Sequence, residues 1–285
     1  MIAASSLRGC RLLFASALLA AVPAFAAPAT VAPAKIQVSP AIDAAVKAST
    51  RDANNVKRDG YRHPAQTLSF FKVAPEKTVI EITPGNGWYS EILAPLLHDK
   101  GHYVAAVVDP MAVAEGRGRD YQQRSRDSLE KKYAAAPAQF GKTAVVAYDP
   151  AKPVFGPASS ADVVLTFRNV HNWRKAGQAQ GMFQGFFNVL KPGGVLGVVE
   201  HRAKADVADD DDTGYVGQQQ VIAMAEAAGF KLDARSEVNA NPRDTKDHPN
   251  GVWTLPPTNQ HDKADDAKYQ AIGESDRMTL RFIKP

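Results

Sequence analysis

The side chains best suited to chemistry lie in one short run, Arg168-Asn169-Val170-His171-Asn172-Trp173-Arg174, directly after the apolar stretch Asp162–Phe167. An imidazole has a reference pKa near 6.5, so His171 has the chemistry of a general base at neutral pH. Trp173 offers a flat aromatic face for stacking or for attraction to a cation. The competing reading makes Trp173 a core residue and His171 only the cap of the next helix, because function in an α/β fold follows from site geometry. A second cluster, Glu200-His201-Arg202, ends another apolar run and makes His201 a second candidate base. A third feature is the tight turn Thr83-Pro84-Gly85-Asn86-Gly87. Glycines there let the backbone approach a ligand, and a helix start offers free N–H groups. Glu81, just before this turn, is costly to ionise in a strand buried on both faces, which points beyond a structural role.

These residues need elements to hold them. Val79-Ile80-Glu81-Ile82 reads as a strand, and Trp88 to Leu97 carries apolar residues at helical spacing. Strand, glycine turn and helix are how an α/β sheet builds a nucleotide pocket at its carboxyl edge. Gly101 to Pro110 reads as the next strand, ending in Asp109, 22 residues past Gly87. An acid about 20 residues beyond the glycine loop is placed to grip a ribose hydroxyl pair, although Asp before Pro also simply favours a turn. Thr143 to Tyr148 is a third strand, and the Asp149-Pro150 after it has the same two readings, an adenine contact or a turn. Asp162 to Phe167 is a fourth strand. Ala176 to Leu190 is a helix with a core-facing stripe of Phe183, Phe186, Phe187 and Leu190. Lys191-Pro192-Gly193-Gly194 stops that helix and leads into a fifth strand, Val195 to Glu200. Val216 to Ala228 is an amphipathic helix, Phe230 to Glu237 a sixth strand, and Arg277 to Ile283 a last, antiparallel strand beside it. Asn239 to Gln260 is a long polar insertion of the kind that forms lids, expected at the mouth of the site. Ala41–Ala48 and Gln66–Phe71 read as helices leading into the first strand, with the polar, charged Arg51–Asp59 between them, a region placed to fold over the pocket mouth; His63 reads as a surface or capping group. Met111 to Tyr133 reads as a surface helix, and the acids Asp209–Asp212 as a solvated loop that lacks the spacing of a calcium site.

The 285 residues, 45% hydrophobic and 22% charged, suffice for one well-buried α/β domain. Arg8 and Arg11 precede an apolar run, Leu12 to Val22, followed by Ala24-Phe25-Ala26. This is the pattern of a cleaved signal peptide ending at residue 26, with an apolar run shorter than the roughly 20 residues of a bilayer span. Cys10, the single cysteine, falls inside this segment, so the mature chain has no disulfide, thiol nucleophile or cysteine-ligated metal. The segment removes two basic residues and no acid, taking the net charge from +4 to +2, too small an excess for nucleic acid as the default partner. Residues 27–40, rich in Ala, Pro and Val, read as a flexible linker.

The pattern Glu81-x-x-Pro84-Gly85-x-Gly87-Trp88-Tyr89, together with Phe167-Arg168-Asn169-Val170-His171-Asn172-Trp173, resembles a group of exported bacterial proteins. That group lies in the class I S-adenosylmethionine (SAM) dependent methyltransferase superfamily, and its activity is itself a prediction. The resemblance continues through Asp244-Thr245-Lys246-Asp247 and Gly251–Pro257 to Gly273–Leu280, and so covers nearly all of the chain after about Ala41. It implies one doubly wound, Rossmann-like domain with a seven-stranded sheet whose last strand is antiparallel. It further implies SAM as cofactor, a small-molecule methyl acceptor, and an exported, periplasmic protein without stable membrane insertion. Transferred by motif, Glu81, Pro84, Gly85, Asn86, Gly87, Trp88 and Tyr89 form the cofactor loop, with both glycines beside the methionine part. Asp109 binds the ribose, and Asp149 and Phe167 flank the adenine. Arg168, Asn169, His171 and Trp173 face the acceptor, with Trp173 able to meet the sulfonium. The superfamily's acidic-x-Gly-x-Gly-x-Gly pattern carries Thr83 here in place of the first glycine, with Pro84 next to it, which stiffens the loop. An alternative from another class is an exported ligand-binding protein that kept the fold without catalysis. A dehydrogenase is a weaker third, since its loop would normally carry three glycines.

Overall fold

Seven strands, most of them short runs rich in Val and Ile, form one sheet. They are β1 (Thr78–Ile82), β2 (His102–Val108), β3 (Ala144–Tyr148), β4 (Ala161–Phe167), β5 (Leu190–His201), β6 (Lys231–Ser236) and β7 (Arg277–Ile283). The structure, a computed structural model, describes Met1 and residues 36–285. The expected signal peptide, its Cys10 and most of the linker lie outside the described residues. Within the unit Val31–Pro285 the strand order is β3-β2-β1-β4-β5-β7-β6. β1 to β5 pair in parallel, and β7 runs antiparallel between β5 and β6. This is the doubly wound, seven-stranded arrangement expected from the sequence.

The chain leaves β1 toward β2 and β3, then returns to place β4 on the other side of β1. The neighbouring carboxyl ends of β1 and β4 are therefore the switch point, where the connections diverge and leave a crevice. Asn169 fastens its floor: its Nδ2 donates to the Ile82 carbonyl at the end of β1 (3.1 Å) and to Thr166 Oγ1 of β4 (3.2 Å).

Alternation along the strands sends apolar side chains to both faces, where two clusters form the core. One gathers Ile80, Ile82, Val164 and Leu196 with α8 (Val170–Lys175), α9 (Ala179–Val189) and α10 (Gln218–Ala227). The other joins Val79, Ala105 and Val163 to α1 (Pro40–Val46), α4 (Pro64–Phe70) and α5 (Ser90–Leu97). On that face the Phe71 ring lies against Gly197 of β5, where a Cβ would come within 2.6 Å of it. A glycine is needed here for close approach.

Several boundaries differ from the sequence reading for local reasons. α5 starts at Ser90, not Trp88, because Trp88 and Tyr89 belong to the turn. The expected helix from Met111 is preceded by a 3-10 turn, Pro110–Ala112, and α6 runs Arg117–Ala135. Lys191–Gly194 does not interrupt the chain before β5 but is part of it, paired through Gly193 N–H to the Lys284 carbonyl (2.8 Å). Residues 51–59 form α2 (Ala53–Val56) and lead into α3 (Asp59–Arg62), and Arg51 is buried against Asp59 and Glu91. At the end of the expected linker, Ile36 and Val38 pack on the core and Ser39 N–H donates to Ser69 Oγ. Two segments carry elements that periodicity did not indicate, α7 (Pro137–Phe140) and α11 (Asp266–Ile272). Among the described residues no helix is long and apolar enough to cross a membrane.

Candidate functional site

A cavity of about 380 Å³ opens over the switch point. Its floor is the turn after β1 (Thr83, Pro84, Gly85, Asn86) and the segment after β4 (Phe167 to Asn169, His171, Asn172). α2 and α3 with the turn between them supply Asn55, Arg58 and Arg62, and the 239–260 segment closes the far side with Val252, Trp253, Pro256 and Pro257. His201, Glu274 and Ser275 complete the wall. That size is within the usual range for a small-molecule site.

The turn is built on left-handed backbone. Gly85 (φ 58°) and Gly87 (φ 72°) adopt it at no steric cost, but Thr83 adopts it as well (φ 52°). A β-branched residue there is strained. Position 83 is where the pattern that this sequence resembles has a glycine, a residue that adopts such a φ freely. Thr83 is held by its N–H to the Ala106 carbonyl (2.8 Å) and its hydroxyl to Tyr148 Oη (2.8 Å). An added Cβ at Gly85 would meet nothing within 4 Å, whereas at Gly87 it would press on Leu129 and Ser90. Gly85 thus faces open space, and Gly87 seats the turn on the protein without lining the cavity.

Around this turn, Trp88 is buried with its indole N–H on the Asn55 carbonyl (3.0 Å) and Arg62 over its ring at 4.8 Å. Tyr89 stacks on Phe167, with centroids 3.8 Å apart and planes 13° off parallel. Glu81 is buried and accepts a 2.6 Å hydrogen bond from Tyr103 Oη, beside Ser90 and Tyr133. Burial pushes its carboxyl up to about 7, against the opposing effects of Tyr103 and the Lys132 charge. Sequence reading placed an acid here for its cost, and the structure shows that cost.

On the β4–β5 side, Glu200 is the organising group, and it is fully buried. Its carboxylate accepts from Val170 N–H (2.6 Å), His171 N–H (3.4 Å), His201 N–H (2.8 Å) and His171 Nδ1 (3.1 Å). A carboxylate can only accept, so the His171 Nδ1 carries the proton and its Nε2 keeps the lone pair. His201 Nδ1 is 2.6 Å from Ser275 Oγ, and the two imidazole centroids are 5.5 Å apart. Burial, then His171 and the nearby Arg168, hold His201 well below the usual histidine range, so it is neutral and weakly basic. Of the two candidate bases, His171 is the better equipped. His171, Glu200 and His201 are also the one group of potential metal ligands found among the described residues.

The structure brings Glu81, Pro84, Gly85, Asn86, Trp88, Tyr89, Phe167, Arg168, Asn169 and His171 to one cavity. It does not bring Trp173 there. That residue turns into the core against Phe186 (5.6 Å), because α8 begins at Val170 and its helical period points residue 173 inward. The acceptor-facing reading of Trp173 is therefore corrected to a core role, and the indoles on the cavity wall are those of Trp88 and Trp253. Asp109 and Asp149 stand at the carboxyl ends of β2 and β3 but outside this cavity. Each accepts a hydrogen bond from the backbone two residues on, Met111 N–H (3.0 Å) and Ala151 N–H (2.8 Å). Sequence reasoning missed Asn55, Arg58, Arg62 and Glu274, which come from far apart in the chain. The reading of helices folding over the pocket mouth marked the first three only as a region, and the resemblance through Gly273–Leu280 the last.

No protein-family profile matches this sequence, and no curated protein does. Among solved structures the chain is similar to a SAM dependent methyltransferase from Aquifex aeolicus. Identity is 14%, the match covers 80% of this chain and 93% of that one, and the TM-score is 0.53. It is similar also to a putative sarcosine dimethylglycine methyltransferase from Galdieria sulphuraria (11% identity, 87% and 92% covered, TM-score 0.51). A third is the [4+2]-cyclase SpnF (16%, 84% and 85% covered, TM-score 0.54). The chain has the class I methyltransferase fold. The presence of a cyclase on that fold means that the reaction must be argued from the site.

Proposed function

We propose that this protein is a SAM-dependent methyltransferase acting on a small molecule. The observation that carries this reading is the meeting, in one cavity at the switch point, of the glycine turn and an imidazole oriented by a buried carboxylate. The residues fit the cofactor: Gly85 faces open space at positive φ, and Glu81 stands ready as a partner for a cationic group. The Tyr89–Phe167 stack supplies a flat wall. When bound, SAM supplies a methyl group on a sulfonium, open to in-line attack. The chain's own contribution is to hold the acceptor in line and exclude water, which is enough for a large share of such catalysis. His171 Nε2 takes a proton from the acceptor nucleophile, and Glu200 stabilises the imidazolium that results. Asp109 is assigned the ribose and Asp149, with Phe167, the adenine. We further propose export to the periplasm, with cleavage after residue 26.

A second reading, ligand binding without turnover, is favoured by one observation: the cavity stops short of Asp109 and Asp149. The test is the melting temperature with and without SAM, since a ligand of the native state raises it by mass action. A SAM-dependent rise that Asp109→Ala removes supports the assignment. A rise unchanged in Asp109→Ala sinks the ribose role, and no rise at millimolar SAM favours the second reading.

A further inference from the structure

The cavity carries more positive charge than its cofactor explains. Arg58, Arg62 and Arg168 line it, and Arg277 lies directly behind Arg62 and Arg168. One carboxylate serves three of the four: Glu274 meets Arg58 (2.7 Å), Arg62 (3.2 Å) and Arg277 (2.8 Å). Arg62 Nη2 is buried without a hydrogen-bond partner. Arg168 is the least satisfied, with no hydrogen bond or ion pair to its guanidinium among the described residues. It stands in left-handed backbone (φ 63°), fixed by its N–H on the Val199 carbonyl (2.7 Å). Strain in a non-glycine residue that aims an unpartnered cation into a cavity marks a ligand contact. SAM does not balance this charge. Its carboxylate can meet one arginine, but its sulfonium and ammonium leave it cationic overall. With SAM in place the excess therefore grows.

Resting on the methyltransferase reading, we propose that the acceptor carries an oxyanion, a carboxylate or phosphoryl group, gripped by Arg168 with Arg58 and Arg62. The guanidinium fork matches both groups and takes them bidentately. The oxyanion would neutralise the arginine excess and place the rest of the acceptor toward His171, on the same wall. A metal at His171–Glu200–His201 is the competing use of this wall. The Glu200 oxygens are already engaged by four N–H donors, and the adjoining arginines repel a cation.

The test is calorimetric titration of the full-length protein with inorganic phosphate and with malonate, at fixed ionic strength, with and without S-adenosylhomocysteine. At least one probe is expected to bind at a single site. Arg168→Gln should weaken it about tenfold or more, the worth of a hydrogen bond to a charged group. Arg124→Gln, the same change on an exposed arginine, should not. Arg58→Gln is the second variant, and melting curves confirm that each variant is folded. Binding of phosphate alone identifies a phosphoryl acceptor, and of malonate alone a carboxylate. Equal affinity in wild type and both variants, no binding at tens of millimolar, or saturable manganese binding instead overturns the proposal. Arginine-dependent phosphate binding without S-adenosylhomocysteine binding keeps the anion site and removes the methyl-transfer reading. The reverse pattern removes only the anion site.

Discussion

Replacing Glu81 by Gln measures what the protein gives up to keep a carboxyl group in its cavity. Burial beside Tyr103, Ser90 and Tyr133 raises this group from 4.5 to about 7. Below about pH 4.5 the folded and unfolded chains both hold the proton, so the group has no effect on stability. Between that pH and 7 the unfolded chain releases its proton while the folded chain retains it. Stability therefore falls as pH rises, and the loss is complete above pH 7. At about 1.4 kcal/mol per pH decade, the deficit reaches about 3 kcal/mol. Gln fills the same space and still accepts from Tyr103, but has no charge to desolvate. Urea denaturation at pH 8 should find Glu81→Gln more stable by up to about 3 kcal/mol, and at pH 4.5 nearly equal to wild type. A variant less stable at pH 8, or a difference that ignores pH, refutes the reasoning. The same variant should bind SAM more weakly, a stability gain made at the expense of function.

Glu274 has the opposite sign. Burial pushes its carboxyl up, but Arg62, Arg277 and Arg58 outweigh that and hold it at about 2. Its contribution, about 3 kcal/mol, is present above pH 4.5 and is lost as pH falls through 2. Glu274→Gln should therefore destabilise strongly at pH 7, with the gap to wild type narrowing below pH 4.5 in denaturant titrations. Glu200→Ala strands the buried N–H groups of Val170 and His201 and should cost about 3 kcal/mol or more by the same assay, together with any turnover. Trp173→Ala should cost about 3–5 kcal/mol as a core cavity while SAM affinity, measured where the variant is folded, stays within about twofold. A large affinity loss with little destabilisation would restore Trp173 to the site.

The strands were legible because buried parallel strands are continuous apolar runs, as in Val163–Leu165 and Val195–Val199, whereas their order in the sheet is set by long-range pairing that no run of residues displays. The two ends that meet at the switch point were legible for the same reason: Thr83–Gly87 and Phe167–Asn169 directly follow such runs. Trp173 was ambiguous in principle, since an indole at helical spacing suits either a core or a wall, and only the start of α8 at Val170 decides it. Lys191–Gly194 was misread because Pro and Gly signal a stop, whereas here the pairing of Gly193 and Gly194 with Lys284 carries the strand through. Arg58, Arg62 and Glu274 could not be found by periodicity. Their ion pairs join residues more than 200 positions apart, so the charged stretch before α4 could be placed over the pocket mouth only as a region, without its individual arginines.

The most direct measurement is calorimetric titration of the purified protein with SAM and with S-adenosylhomocysteine in the same buffer at pH 7.5. The account predicts one site for each, in the micromolar range, lost in a variant that blocks the open space at Gly85 (Gly85→Val). Heat indistinguishable from dilution at millimolar concentrations of both ligands would contradict it and leave the fold without its cofactor.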